Sequence, residues 1–418
     1  MKKKVLLLFS DYHFPTDNGK RIMLKGFYEF FEKEEVDYFI IGSEKEITSN
    51  EIKVTNLPKA NFLEKIYNLF VYSLILRKKS FQEAIMFNKR AKDILDNIDY
   101  SKYDVVLIDT VRISQYISDK NIVSNMYLYL DDLYSRRYEK MIEVKGEYKD
   151  IDINPLGNFK SKLPKLAQKF LKNKIIEKIV LKFEKALIYN SEIRESKRFH
   201  NVLLINFDEA NHLSKLVDKP IQDIKPRIIH QEKGLKRKLD SNSSFLFLGS
   251  LNIAHNKVSI EEFLERNLHE IKAEIPEFHI KIVGKNPSDK LKELQRQNSE
   301  SVTITGFVED LEIEIANSKA MIVPLLFGTG VKLKTLDAFR CSTPVIGTNY
   351  AFEGIAIDDR IRKYRYDTEY ELIDKIKKMN DFKSNLKNSK HVSEFYMENY
   401  SIESVDKQYN RIFWNDTK

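Results

Sequence analysis

The chain has 418 residues, 42% of them hydrophobic, and a formal net charge of +8. That length exceeds one ordinary domain and fits two of about 200 residues each, and Gly and Pro are too few for extensive disorder. The one cysteine, Cys341, excludes an internal disulfide and fits a reducing compartment. The positive charge comes with 62 acids and without a nucleic-acid-binding motif, so it does not argue for nucleic acid.

Met1–Lys4 followed by Val5–Phe9 mimics a secretory leader, but the apolar run is short and Asp11 follows with no small-residue cleavage site. Val5–Phe9 reads instead as the first strand of a parallel sheet covered on both faces. Ser10–Gly19 is a loop with turn residues Pro15, Asp17 and Asn18, and an amphipathic helix follows with Ile22, Leu24, Phe27, Phe30 and Phe31. Further strands are expected at 37–42, at Tyr103–Asp109, at Tyr127–Asp132, at Lys185–Tyr189 and at Val202–Asn206. Such alternation with helices means a doubly wound, Rossmann-like α/β domain.

Two basic amphipathic stretches interrupt it. Phe62–Leu76 is flanked by Lys59, Lys65 and Arg77–Lys79, and Lys160–Lys185 carries nine lysines against Glu177 and Glu184. Neither is long and apolar enough to span a bilayer. Residues 59–79 and 160–185 read either as surfaces lying on an anionic membrane or as solvated helices packed on the sheet. Residues 208–244 turn polar and irregular and read as a linker. The alternation then restarts, with strands at 245–249, 279–284, 302–307, 320–326 and 344–347 and helices at 259–273, 288–297, 311–319 and 332–339. Two aromatic-rich helical stretches, 395–400 and 405–414, close the chain.

The stretch FGTGVKLKTLDA, Phe327–Ala338, follows an apolar strand and opens a helix. A glycine turn of this kind offers backbone N–H groups to an anion. Lys332 and Lys334 add positive charge, and Asp337 could accept hydrogen bonds from sugar hydroxyls. With Gly249-Ser250-Leu251, IVGK at Ile282–Lys285, TGFVEDL at Thr305–Leu311, PVIGT and AFEGI, it resembles the family-4 retaining glycosyltransferases of the GT-B fold. FPTDNGKR at Phe14–Arg21 and the Asp131–Arg136 run are looser matches in the first half.

The resemblance implies two Rossmann-like domains facing an interdomain cleft. An acceptor-binding domain would cover 1–207, the linker 208–244, a nucleotide-sugar donor domain 245–394, and C-terminal helices 395–418 would cross back to the first domain. It also implies that amides at Gly328, Thr329 and Gly330 receive the donor, with Asp337 at the ribose and Glu353 nearby, while Gly306, Phe307 and Val308 read the base. Many members carry a glutamate where this chain has Thr329, and an arginine and a lysine where it has Ser250 and His255. The charge facing the leaving diphosphate would then come from Lys332, or else Lys334 or Lys257. Gly19 and Gly249 would let the backbone approach the cleft closely. Asp132 or Asp131 would meet the acceptor hydroxyl or stabilise the oxocarbenium-like state, with Arg136, Arg21 and His13 as further candidates.

Ordinary readings exist for each: a helix N-cap for the aspartates, core for Phe307 and Cys341, and a solvated surface for Glu353 and the lysines. No Asp-x-Asp sits in a metal setting and no His or Cys has ligand spacing, so neither a metal nor a cofactor is expected beyond the nucleotide-diphosphate sugar. The function implied is transfer of that sugar to a saccharide or lipid-linked saccharide, in surface polysaccharide or glycoconjugate synthesis. The expected location is the cytoplasm or the inner face of the membrane. The alternatives are a non-catalytic GT-B subunit that binds or chaperones an active transferase and a nucleotide-sugar epimerase. The loop after Val5–Phe9 lacks the G-x-G-x-x-G fingerprint of an NAD-dependent enzyme.

Overall fold

The computed structural model describes residues 2–15, 19–41, 54–147, 174–229, 237–240 and 243–415. The chain divides into two units, residues 1–228 with 406–418, and residues 229–405. The part 160–173 of the second basic stretch, Asp17 and Asn18 of the first loop, and positions 230–236 and 241–242 of the expected linker lie outside the described residues.

The first unit is built on seven parallel strands: β1 (Lys4–Phe9), β2 (Glu35–Ile41), β3 (Val54–Leu57), β4 (Val105–Asp109), β5 (Met126–Tyr129), β6 (Asn201–Leu204) and β7 (Gln222–Asp223). Their order is β3-β2-β1-β4-β5-β6-β7. Val5 is paired with Val36 on one side and Val105 on the other, so β1 is central, and Val5–Phe9 are fully buried as its unbroken apolar run requires. Helix Gly19–Phe31 buries Met23, Leu24, Phe27 and Phe31. The last helix, Ile402–Trp414, sets Tyr409 on Phe27 and Phe413 on Phe31, with ring centroids 5.7 and 5.1 Å apart, and Asp406 holds Arg227 at 2.6 Å. The chain's end thus packs on its beginning.

Two sequence expectations need correction here, and one strand was not expected. Lys185–Tyr189 is not a strand but the middle of helix Lys174–Arg198. The buried positions there, Leu181, Glu184, Ile188, Ser191 and Glu195, follow helical spacing, and the four-residue apolar run Ala186–Tyr189 cannot by itself distinguish the two. Within the stretch read as linker, Phe207–Val217 is a helix capped by Asn206 Oδ1, which accepts from Asp208 N at 3.0 Å, and Gln222–Asp223 forms β7. Strand β3, four residues long, carries too little alternation to stand out.

The second unit holds β8 (Phe245–Leu248), β9 (Ile280–Val283), β10 (Val302–Gly306), β11 (Met321–Val323) and β12 (Val345–Gly347), all parallel, in the order β10-β9-β8-β11-β12. Every strand and helix expected between 245 and 347 is present. The largest boundary difference is at helix Ala254–Glu274, which starts before Ser259. At the ends of β8 and β9 the backbones nearly touch, since a Cβ on Gly284 would lie 2.0 Å from the Gly249 carbonyl oxygen. In both units the strand order reverses once, between β1 and β4 and between β8 and β11. Open α/β sheets bind ligands beyond the strand C-termini at such reversals.

Candidate active site

In the second unit the loops leaving β8 and β11 meet at the reversal. The β11 loop carries Gly328 at φ +145° and Gly330 at φ +79°, backbone conformations open to glycine and strained for other residues. Lys332 folds back beneath this turn. Its Nζ donates to the carbonyls of Thr329 (2.9 Å) and Gly330 (2.7 Å) and lies 3.7 Å from Glu353 Oε2, with the lysine side chain only 7% exposed. A Cβ on Gly328 would sit 3.5 Å from that ammonium and 3.9 Å from the His255 ring, which meets Phe327 edge-on. Burial, with Lys332 and Lys334 nearby, drives His255 down to about 3, so it is neutral and can offer an N–H but no charge. The glycine turn thus closes over a buried ammonium that two of the turn's own carbonyls and the Glu353 carboxylate surround.

Gly328, Thr329, Gly330, Lys332, Glu353 and His255 are therefore brought together, and Glu353 is no solvated surface residue. The other candidates lie differently. Lys334 donates to the Leu248 carbonyl (2.7 Å) and Asn256 Oδ1 (2.8 Å) and stands over the Phe247 ring, tying helix Leu333–Arg340 to the end of β8. Burial and Lys332 lower it to about 7. Asp337 is pushed up to about 6 by burial, Arg340 opposing and Glu312 adding to the rise. Gly249 backs onto Asn256, and Ser250 Oγ donates to Asn252 Oδ1 at 2.5 Å. Gly306 has φ +70° with open space where a Cβ would point. Phe307 is not core but 69% exposed, with Lys285 Nζ 4.7 Å over its ring, while Val308 packs against the unit's core. Cys341 is a buried thiol raised to about 11 by burial, a packing residue.

The first unit has its own polar cluster at the β1/β4 reversal. Asp109, fully buried at the end of β4, accepts from Ser10 N (2.9 Å) and Lys20 Nζ (2.8 Å), and Lys20 also donates to Ser10 Oγ (2.7 Å). Its second oxygen, Oδ1, has no hydrogen-bond partner among the described residues. Burial raises the Asp109 carboxyl, but Lys20 and Arg112 outweigh it and hold the group below its ordinary range. Thr110 and Asp131 both take φ +67°. Asp131 accepts from Tyr129 OH at 2.8 Å and is raised to about 6 by burial and by Asp132, which is ion-paired with Arg137.

The predicted partner Arg136 points elsewhere. It lines a cavity of about 650 Å³ with Glu139, Lys182, Lys185, Tyr189 and His212. Arg21 pairs with Asp11 at 3.1 Å, Gly19 is the exposed first residue of its helix, and His13 is buried 3.0 Å from Tyr38 OH and lowered to about 4 by burial and Lys25. Sequence reasoning missed Ser10, Lys20, Asp109 and Arg112. Strand ends were legible, but strand order, which decides which ends become neighbours, was not.

Residues 242–379 match the family model Glycosyl transferases group 1, a span that holds the glycine turn, Lys332 and Glu353. A Klebsiella pneumoniae protein described as an uncharacterized 44.6 kDa protein in the cps region is 24% identical over 368 residues, 84% of each chain. Among solved structures, TarM aligns over 99% of both chains with a TM-score of 0.59 and 10% identity. WaaG, a glycosyltransferase involved in lipopolysaccharide biosynthesis, aligns over 99% of this chain and 100% of its own, with a TM-score of 0.53 and 12% identity. HepE of Anabaena, solved with UDP and glucose, aligns over 99% and 100%, with a TM-score of 0.56 and 10% identity. The chain has the GT-B fold, and over residues 242–379 it resembles the Glycosyl transferases group 1.

Proposed function

We propose that this protein transfers a sugar from a nucleotide-diphosphate donor to a saccharide or lipid-linked saccharide, with retention of configuration, in the synthesis of a capsule-like surface polysaccharide. The observation that carries this reading is the glycine turn at Gly328–Gly330 over the buried Lys332, inside the family-matched span. The turn's amides and the Lys332 ammonium would hold the diphosphate and take up the charge that grows on it as the bond to the sugar breaks. Glu353, 3.7 Å from Lys332, would orient the ammonium and meet the donor sugar. Asp337 would accept from the ribose, and Gly306–Val308 would face the base.

On the acceptor side, Asp131 and Asp132 with the Ser10–Lys20–Asp109 cluster would orient the attacking hydroxyl, most of the rate coming from positioning rather than from a protein nucleophile. The capsule assignment is supported by the cps-region relative. A lipid-linked acceptor would set the protein peripherally on the cytoplasmic face of a membrane.

A second reading, a non-catalytic GT-B subunit that binds a transferase or its acceptor, is favoured by Thr329 and the neutral His255, which stand where family members often have charged groups. One assay separates the two. The purified protein is incubated with UDP-, GDP- and CDP-sugars, with and without saccharide acceptors, and released nucleotide is measured. Release that disappears in Lys332→Ala and Asp337→Ala supports the transferase. Donor binding without turnover on any acceptor would overturn it in favour of the binding subunit.

A further inference from the structure

The stretch 62–76 of the first unit is built inside out. It opens with a capping box, Asn61 Oδ1 accepting from Glu64 N at 2.9 Å and Glu64 Oε2 from Asn61 N at 2.7 Å. It runs as α-helix over Phe62–Asn68 and as π-helix over Leu69–Ile75. Two of its polar residues, Asn68 and Ser73, face inward. Asn68 Nδ2 donates to the Phe87 carbonyl at 2.8 Å, and Ser73 Oγ to the Ser80 carbonyl at 3.4 Å. Most of its large apolar side chains face outward: Phe62, Leu63, Tyr67, Phe70, Leu74 and Ile75 are 49% to 74% exposed, while Leu69 packs against the core and Tyr72 meets Phe87. A surface helix in water turns its apolar stripe to the core, and a large exposed apolar patch marks an interaction surface.

Charge says what covers it. Within 62–76 the ionisable acid is Glu64, tied into the cap, and the base is Lys65. Lys59, Arg77 and Lys78 at the two ends are exposed. Arg77 lies 5.7 Å over Phe183, carrying the basic rim onto helix Lys174–Arg198. Lys79 leaves this rim, since its Nζ is inside, donating to Gln115 Oε1 at 2.7 Å over the Phe87 ring. A second copy docked face to face would set like charges against each other. An anionic bilayer accepts both features, acyl chains taking the apolar face and headgroups the basic ends. Among the described residues no helix is long and apolar enough to cross a membrane, so the stretch would lie in the interface.

We propose that residues 62–76 dock this protein on an anionic lipid bilayer, with Phe70, Leu74 and their neighbours inserted and Lys59, Arg77 and Lys78 on the headgroups. This gives the peripheral location proposed above a surface, and its test involves no donor or acceptor, so it stands or falls apart from the transferase reading. The full chain is floated with vesicles of phosphatidylcholine alone and with phosphatidylglycerol added. Flotation is expected with the anionic vesicles, weakening as salt rises. It should fall at least roughly tenfold both in Phe70→Ser/Leu74→Ser and in Arg77→Ala/Lys78→Ala, all exposed positions. Independently, Phe70→Trp fluorescence should shift to the blue and be quenched by brominated anionic lipid. No flotation at low salt together with no quenching would overturn the proposal. So would a dimer in solution that Leu74→Ser dissociates, since a second copy would then cover the face.

Discussion

Lys332 is a cation held in place by carbonyl groups. Two of its contacts are the Thr329 and Gly330 carbonyls, so it fixes the turn whose amides would hold the diphosphate while adding charge to the same spot. Lys332→Ala removes both effects and should lower donor-dependent nucleotide release by roughly 10²- to 10³-fold, with far-UV circular dichroism unchanged. Asp337 is a different case, a carboxylate that its surroundings would rather keep neutral. Its value in the folded protein, about 6, lies above the ordinary 3.8, so its ionisation costs stability. The folded state is favoured most below pH 4, and the advantage is lost as pH rises through 6. Asp337→Asn should therefore gain nothing below pH 4 and on the order of 2–3 kcal/mol above pH 6.5 in urea unfolding. The same change should weaken donor binding. A gain in stability with no loss of binding would remove Asp337 from the site.

At the scale of elements, both sheets rest on close contacts at their strand ends. Gly284→Ala would drive a methyl group to 2.0 Å from the Gly249 carbonyl, where only backbone can yield. It should cost about 1–3 kcal/mol or more and displace the loop after β8. In the first unit, Lys20→Met strands the fully buried Asp109 beside Ser10 and Arg112, and should destabilise by about 3–5 kcal/mol at pH 7. Because Asp109 is held below its ordinary value, the pair's stabilisation is present above pH 4 and fades as pH falls further. The variant should thus lose the most at neutral pH and little in acid, which urea unfolding at the two pH values checks. The second unit's elements were legible because each apolar run is short, ends in glycine or a polar turn, and alternates with helical spacing. Lys185–Tyr189 was misread because its helix buries Glu184 and Ser191 beside Leu181 and Ile188, which blurs the apolar stripe. The inverted face of 62–76 was half legible: its apolar stripe showed in the sequence, but not that Asn68 and Ser73 take the inward side.

Across the whole molecule, the same device appears twice: a parallel sheet whose order reverses once, with a charged cluster at the reversal. In the second unit it sets the Lys332–Glu353 pair beneath the glycine turn. In the first it gathers Lys20, Asp109, Arg112 and Asp131, a set of mixed charge. The glycine turn and Lys332 stood out in the sequence because they lie along one loop and resemble a family motif. The first unit's set did not, because Ser10 and Lys20 follow β1 while Asp109 and Arg112 lie at the end of β4, two segments that only the strand order makes neighbours. The central claim is that the turn at Gly328–Gly330 is where a nucleoside diphosphate binds. Amide hydrogen exchange with and without UDP, GDP and CDP tests it most directly. Protection is expected at residues 327–334, with smaller effects near 249–256 and 305–308, and should be lost in Lys332→Ala. Nucleotide binding that leaves 327–334 unprotected would contradict the account.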